Sequence, residues 1–166
     1  MNTVIFTVLI VLIVAEIAAS GAWMSGYFRI GIPVYRRKVL IRTFKPGFAD
    51  ELERWHASTL SFPLIFRAIS MREIAFREKA YGLYWLRYAP VMRGLIHVSN
   101  DKRHVYITGL LNWYVLLLIA LLSFMLILEG VLAYMVILIA FLFAVYAIQR
   151  YRYAKVGDSL ESLYGK

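Results

Sequence analysis

The stretch that most constrains this chain is Leu110–Ile148, LLNWYVLLLIALLSFMLILEGVLAYMVILIAFLFAVYAI, where Asn112, Ser123, Glu129 and Gly130 are the only clear interruptions. A helix rises about 1.5 Å per residue and a bilayer's hydrocarbon core is about 30 Å thick, so one straight helix over this run would be roughly twice too long. The run has to fold back. Glu129-Gly130 is its one adjacent pair of charge and glycine. Glycine tolerates the backbone angles of a tight turn, and a carboxylate is costly at mid-membrane. Splitting there gives arms over 110–128 and 131–148, each about 27–29 Å long as helix. Trp113 and Tyr114 open the first arm, and Tyr146, Tyr151 and Tyr153 surround the end of the second. Aromatic rings at both ends of one side fit an interfacial belt. The competing reading is the buried core hairpin of a soluble protein, but apolar runs of this length are a membrane signal.

A second apolar segment, Val4–Met24, is expected to be an uncleaved span. No Lys or Arg precedes it, Glu16 falls inside it and the flank after it is basic, unlike a cleaved secretory signal. The chain is 61% hydrophobic, which places it in the membrane class. All 19 Lys and Arg lie either between Arg29 and Arg103 or at Arg150, Arg152, Lys155 and Lys166. Three spans put both basic stretches on one side, and the positive-inside tendency makes that side the cytoplasm. The expected placement is therefore a multi-pass protein of the inner membrane, with its N-terminus outside and its C-terminus cytoplasmic.

Glu16 is the one ionisable group clearly inside a span. It reads either as a proton, ion or subunit-contact site, or as an interfacial residue bonding Ser20 one turn on. Ala18, Ala22 and Gly26 are spaced four apart, so one continuous helix would line them on one face and admit a neighbouring helix closely.

Between the spans, residues 27–108 read as a basic, β-rich domain. Gly31-Ile32-Pro33 breaks any helix leaving the membrane. Val34–Phe44 fits a strand with basic side chains on one face. Lys45-Pro46-Gly47 is a turn, and Phe48–Leu60 a short helix with Asp50, Glu51 and Glu53 at its start. Ser70–Tyr81 is read as a strand. Met92–Gly109 is the clearest soluble element, a hairpin around Ser99–Lys102. A symmetric loop pairs His97 with His104 and puts Ile96, Val98, Val105 and Ile107 on an inner face. Arg93, His97, His104 and Tyr106 then share the outer face. So small a domain is expected to have its inner face completed by the membrane or by another chain.

Chemistry-bearing motifs are sparse. The chain has no cysteine, which excludes a disulfide framework, a cysteine zinc site and a cysteine nucleophile. His97 and His104 are the residues a metal would use, but a site needs a third or fourth ligand and only His56, Asp101 or a distant Glu is on offer, so neither a metal nor a cofactor is expected. No phosphate loop or nucleophile elbow is present. The formal net charge of +9 first reflects topology and then anionic lipid headgroups, with Arg29, Arg36, Arg37, Lys38, Trp85 and Arg87 as the expected headgroup or partner contacts. Nucleic acid comes third. Tyr81, Tyr84, Trp85 and Tyr88 could stack bases, but their leucine neighbours fit a core or an interfacial surface better.

The expected fold is an integral membrane α+β protein. It has an N-terminal transmembrane helix (1–26), a β-rich cytoplasmic domain with one short helix (27–108), a transmembrane hairpin (109–151, turning at 129–130) and a cytoplasmic tail (152–166). The expected function is non-enzymatic: an accessory, assembly or scaffold subunit of a larger membrane complex, in contact with other membrane subunits or itself. A homo-oligomeric pore or membrane-disrupting effector is the alternative, and an interfacial lipid-acting enzyme the third.

Overall fold

Period-two alternation of β-branched and aromatic residues builds the sheet, and longer apolar runs build helices on either side of it. The computed structural model describes residues 2–42, 48–59, 64–78, 91–101, 103–129 and 132–165. In chain order the elements are α1 (Asn2–Gly21), α2 (Ser25–Arg29), β1 (Pro33–Leu40), α3 (Phe48–Thr59), β2 (Leu64–Ser70), β3 (Glu73–Glu78), β4 (Met92–Val98), β5 (His104–Leu111), α4 (Trp113–Glu129) and α5 (Leu132–Tyr164). The chain is α+β, with one five-stranded sheet in the order β1-β5-β4-β3-β2. Every neighbouring pair in it is antiparallel.

Among the described residues, one helical stretch, Val136–Tyr164, is long and apolar enough to cross a membrane by length and composition. The apolar run is divided between two helices, and of the expected turn pair Glu129 still belongs to the first while Gly130 lies outside the described residues. Helix α4 ends at Glu129 and α5 begins at Leu132. Leu110 and Leu111, expected to open the first arm, instead finish β5, so the strand hands over to α4 through Asn112.

Helix α1 stops at Gly21, short of the expected boundary at residue 26. Met24 N–H donates to the Ala19 carbonyl at 3.1 Å, and Trp23 sits in the left-handed region at φ 55°. This is a helix-ending turn in which glycine is usual. A bulky residue there costs roughly 1–2 kcal/mol. The Trp23 ring stacks on Phe28 at 5.4 Å and carries the Arg77 guanidinium at 4.9 Å, which offsets the strain. One consequence corrects the sequence reading: Ala18, Ala22 and Gly26 do not line a single helix face. Ala18 lies in α1, Ala22 in the turn and Gly26 in α2, and all three are exposed.

The sheet's inner face carries Val39, Phe66, Ile74, Phe76, Met92, Ile96, Val98, Val105 and Ile107, all buried. The expected membrane or partner chain does not complete this face. The chain's own α3 and α5 do, through Phe48 and Leu52 and through Tyr153, Val156, Leu160 and Tyr164. Of residues 152–166, expected as a separate tail, 152–164 are thus the last turns of a continuous 33-residue helix. Their buried stripe at Gln149, Tyr153, Val156, Leu160 and Tyr164 follows helical spacing. Two glycines permit the packing. A Cβ on Gly94 would lie 2.1 Å from the Phe76 ring, and one on Gly157 2.7 Å from the Arg37 side chain.

The hairpin differs from expectation by two residues. Val98 pairs with Val105, and His97 pairs with Tyr106, not His104. Asp101 explains the longer loop, because its carboxylate accepts the Arg103 N–H at 3.0 Å and reaches His104 Nδ1 at 2.8 Å. A slip of two residues preserves the faces, so the four expected inner residues are still the buried ones.

Candidate functional site

The densest polar constellation lies where α1, α2 and α4 meet the ends of β4 and β5. Arg93 projects from the outer face of β4, the face it was expected to share with His97, His104 and Tyr106, yet it is 1% exposed. Helix α2 crosses it there and brings Tyr27 and Phe28 into a second small core with Ala75. The Arg93 guanidinium donates to three backbone carbonyls: Nε to Tyr27 at 2.8 Å, Nη1 to Leu111 at 2.7 Å and Nη2 to Ile30 at 2.6 Å. Nη1 also reaches Asn112 Oδ1 at 3.3 Å. The cation lies 4.0 Å from the Tyr27 ring centroid and 5.7 Å from that of Trp113. Arginine's planar fork suits this many fixed acceptors, and its charge favours the π faces.

Glu16 completes the constellation. Its Oε1 accepts the Tyr27 hydroxyl at 2.8 Å and the Trp113 N–H at 2.8 Å, while Oε2 accepts the Tyr114 N–H. The first backbone N–H groups of a helix have no partner inside it and carry the positive end of its dipole. Glu16 therefore caps α4 from a different helix. Its Oε1 also sits 4.0 Å from Arg93 Nη1. The expected bond to Ser20 is replaced by these three donors. Chemically, the cluster is a closed clamp. The carboxylate is met by hydrogen-bond donors and the guanidinium by acceptors.

A second group of polar contacts fixes α5 to the sheet. Gln149 accepts the Met92 N–H at 2.8 Å and donates to Glu78 at 3.3 Å. Arg152 pairs with Glu78 at 3.0 Å. Burial pushes the Glu78 carboxyl above its usual range, against the opposing pull of Arg152 and Gln149. Tyr153 donates to the Met92 carbonyl at 3.1 Å, and Tyr146 to the Val34 carbonyl at 3.0 Å.

The expected headgroup or partner contacts divide. Arg29 is engaged with Glu73 at 2.5 Å. Arg37 turns to the inner face, where it holds Asp158 at 2.8 Å, Glu161 at 3.1 Å and the Ala154 carbonyl at 2.8 Å. Both form ion pairs within the chain. Arg36 and Lys38 are exposed on the outer face. Trp85 and Arg87, with Tyr81, Tyr84 and Tyr88, lie outside the described residues.

His97 and His104 are not brought together as a metal pair. His97 Nδ1 faces Glu73 at 3.6 Å and His104 Nδ1 faces Asp101 at 2.8 Å. Among the described residues, no group of three or more metal-ligating side chains forms. Glu73 is partly buried, which disfavours its charge, but the Arg29 guanidinium, the Ser70 hydroxyl and His97 together outweigh burial and hold the carboxyl below its usual range. Asp101 is held well below its usual range by the Arg103 backbone N–H and by His104 and Ser99.

Arg93 was missed as a site residue because an arginine alternating with His97 along a strand reads as solvated. What buries it is α2, far away in sequence. The α5 stripe was visible in the 149, 153, 156, 160, 164 spacing, but the basic run beginning at Arg150 masked it. No protein-family model matches this sequence, and comparison with characterised proteins and with solved structures likewise finds no match.

Proposed function

We propose that this chain is a non-enzymatic membrane protein that serves as an accessory, assembly or scaffold subunit of a larger membrane complex. Helices α1, α4 and the apolar part of α5 span the inner membrane, with the N-terminus outside. The sheet and the end of α5 form a cytoplasmic platform. The observation that carries this reading is where the exposed apolar surface lies. Val11 and Val14 of α1, Leu116 and Ile119 of α4, and Val136, Ile137 and Phe143 of α5 all face outward. The sheet's inner face, meanwhile, is already covered by α3 and α5. Exposed apolar surface of this extent on a soluble protein would aggregate, whereas lipid satisfies it.

A subunit role fits a chain whose most buried polar cluster is a structural clamp. The pore alternative would line a lumen with Glu16 or with a face of one span, and a carboxylate that accepts three donors from its own chain is poorly placed for the first of these. The test is the native particle. The tagged protein is extracted in a mild detergent, sized, and its companions identified by mass spectrometry. A stoichiometric foreign membrane protein is the expected result. A monomer without companions contradicts the subunit role, and a ring of this chain alone replaces it with the pore.

A further inference from the structure

The outer edge of the sheet carries a more specific reading, which deepens the subunit role by naming the chemistry of the partner segment. Immediately after β1, the Ile41 N–H turns toward the β5 side and bonds the Arg103 carbonyl at 2.8 Å. The register is regular from Tyr35 to Leu40. Arg37 and Val39 therefore also address β5, while Arg36, Lys38 and Leu40 turn their backbone N–H and C=O groups away from the sheet. Helix α5 hooks this outward edge at its two ends. The Tyr146 hydroxyl bonds the Val34 carbonyl at 3.0 Å, and the Tyr164 carbonyl takes the Arg42 N–H at 2.8 Å. Between the hooks, among the described residues, no hydrogen bond engages the backbone of Arg36, Lys38 or Leu40 on that side. All three residues are exposed, Leu40 at 60%.

The side chains on this edge say what could pair with it. Arg36 and Lys38 point to the same outer face, flanked by Thr108 and Tyr106 of β5, with the Lys38 ammonium 5.9 Å from the Tyr106 ring. A second copy of β1 laid antiparallel about Arg37 would set Arg36 against Lys38, and like charges directly opposite disfavour pairing. A strand with carboxylates at alternate positions would place them on Arg36 and Lys38 while its main chain completes the open ladder. The geometry points to the β1 edge at Arg36–Leu40 as a docking site for an extended acidic segment of a partner protein, added as a sixth strand.

The test uses the full chain in detergent and a fluorescent peptide of alternating glutamate and threonine. Two control peptides carry lysine in place of glutamate, or the glutamate sequence N-methylated at alternate amides. Saturable binding is expected for the first peptide. A tenfold or greater loss is expected on N-methylation, with the lysine peptide, and in the R36E/K38E variant. Bound peptide should slow amide hydrogen exchange at Arg36 and Lys38. Circular dichroism of R36E/K38E matching the parent excludes unfolding as the cause of lost binding. Three outcomes overturn the inference: equal binding of the N-methylated peptide, which leaves charge attraction alone; no binding at millimolar peptide; or pairing of β1 with a second copy. None of these bears on whether the native particle contains a foreign subunit, so the two readings fail separately.

Discussion

Glu16 and Arg93 occupy the same buried space and depend on each other's charge and on a shared set of partners. Removing one member of a buried ion pair strands the other, a loss of about 3–5 kcal/mol, whereas replacing both by apolar side chains is often close to neutral. Glu16→Ala should therefore destabilise the protein strongly, because it also leaves the Trp113 and Tyr114 N–H groups uncapped. Arg93→Met should do the same through three orphaned carbonyls. Glu16→Leu combined with Arg93→Met should cost clearly less than the sum of the single changes. Denaturant unfolding followed by tryptophan fluorescence in detergent reads all three, and additive losses would show that the two residues act independently.

Glu73 supplies a pH signature at the same scale. Its folded carboxyl titrates below the ordinary value of 4.5, so the stability it contributes is fully present above that pH and is lost as pH falls through the lower folded value. Glu73→Gln should flatten the acid limb of the stability profile, and an unchanged limb would mean that other carboxylates set it. Glu16 could be singled out from sequence because a carboxylate inside an apolar run stands out. Its partner Arg93 could not, since burial there is made by a tertiary crossing that leaves no local pattern.

Helix α5 joins an apolar half to a half that covers the sheet, with no break between them. A helix of this length is about 50 Å, so tilting its outer half moves the sheet with it. The docked half rests on apolar packing at Tyr153, Val156 and Leu160, each 0% exposed. Leu160→Ala should cost about 2–5 kcal/mol through the cavity it leaves. Hydrogen exchange should show the loss first in the end of α5 and in β1. Protection lost uniformly across the sheet would instead mean that helix and sheet unfold as one unit.

At this scale the sequence was readable where periodicity was clean. The α3 range, the two strands around the 98–105 turn and the break after Glu129 follow from local pattern alone. Three features did not. The β4–β5 register depends on how Asp101 organises the loop, which alternation does not specify. Strand β2, Leu64–Ser70, went unread because Arg67 and Ser70 dilute its apolar alternation and its pairing with β3 is a tertiary fact. The α5 extension was cut at the first basic residues, although arginine and lysine are good helix formers and keep their charges off the buried stripe.

For the whole molecule, the proposed arrangement stands the sheet on three apolar helices, with the clamp of Glu16 and Arg93 where α1 meets α4 and the polar contacts of Gln149 and Arg152 where α5 leaves the bilayer. Topology is the most direct test, and the absence of cysteine makes it clean. Single cysteines are placed at Asn2, at Gly130 between α4 and α5 in the sequence, and at Met71, a fully solvated position between β2 and β3 (94% exposed). Intact cells are treated with a membrane-impermeant maleimide before and after permeabilisation. Asn2→Cys and Gly130→Cys should label from outside, and Met71→Cys only once the membrane is opened. Labelling of Met71→Cys in intact cells, or recovery of the protein in the soluble fraction, would contradict a sheet held at the cytoplasmic face by three spans.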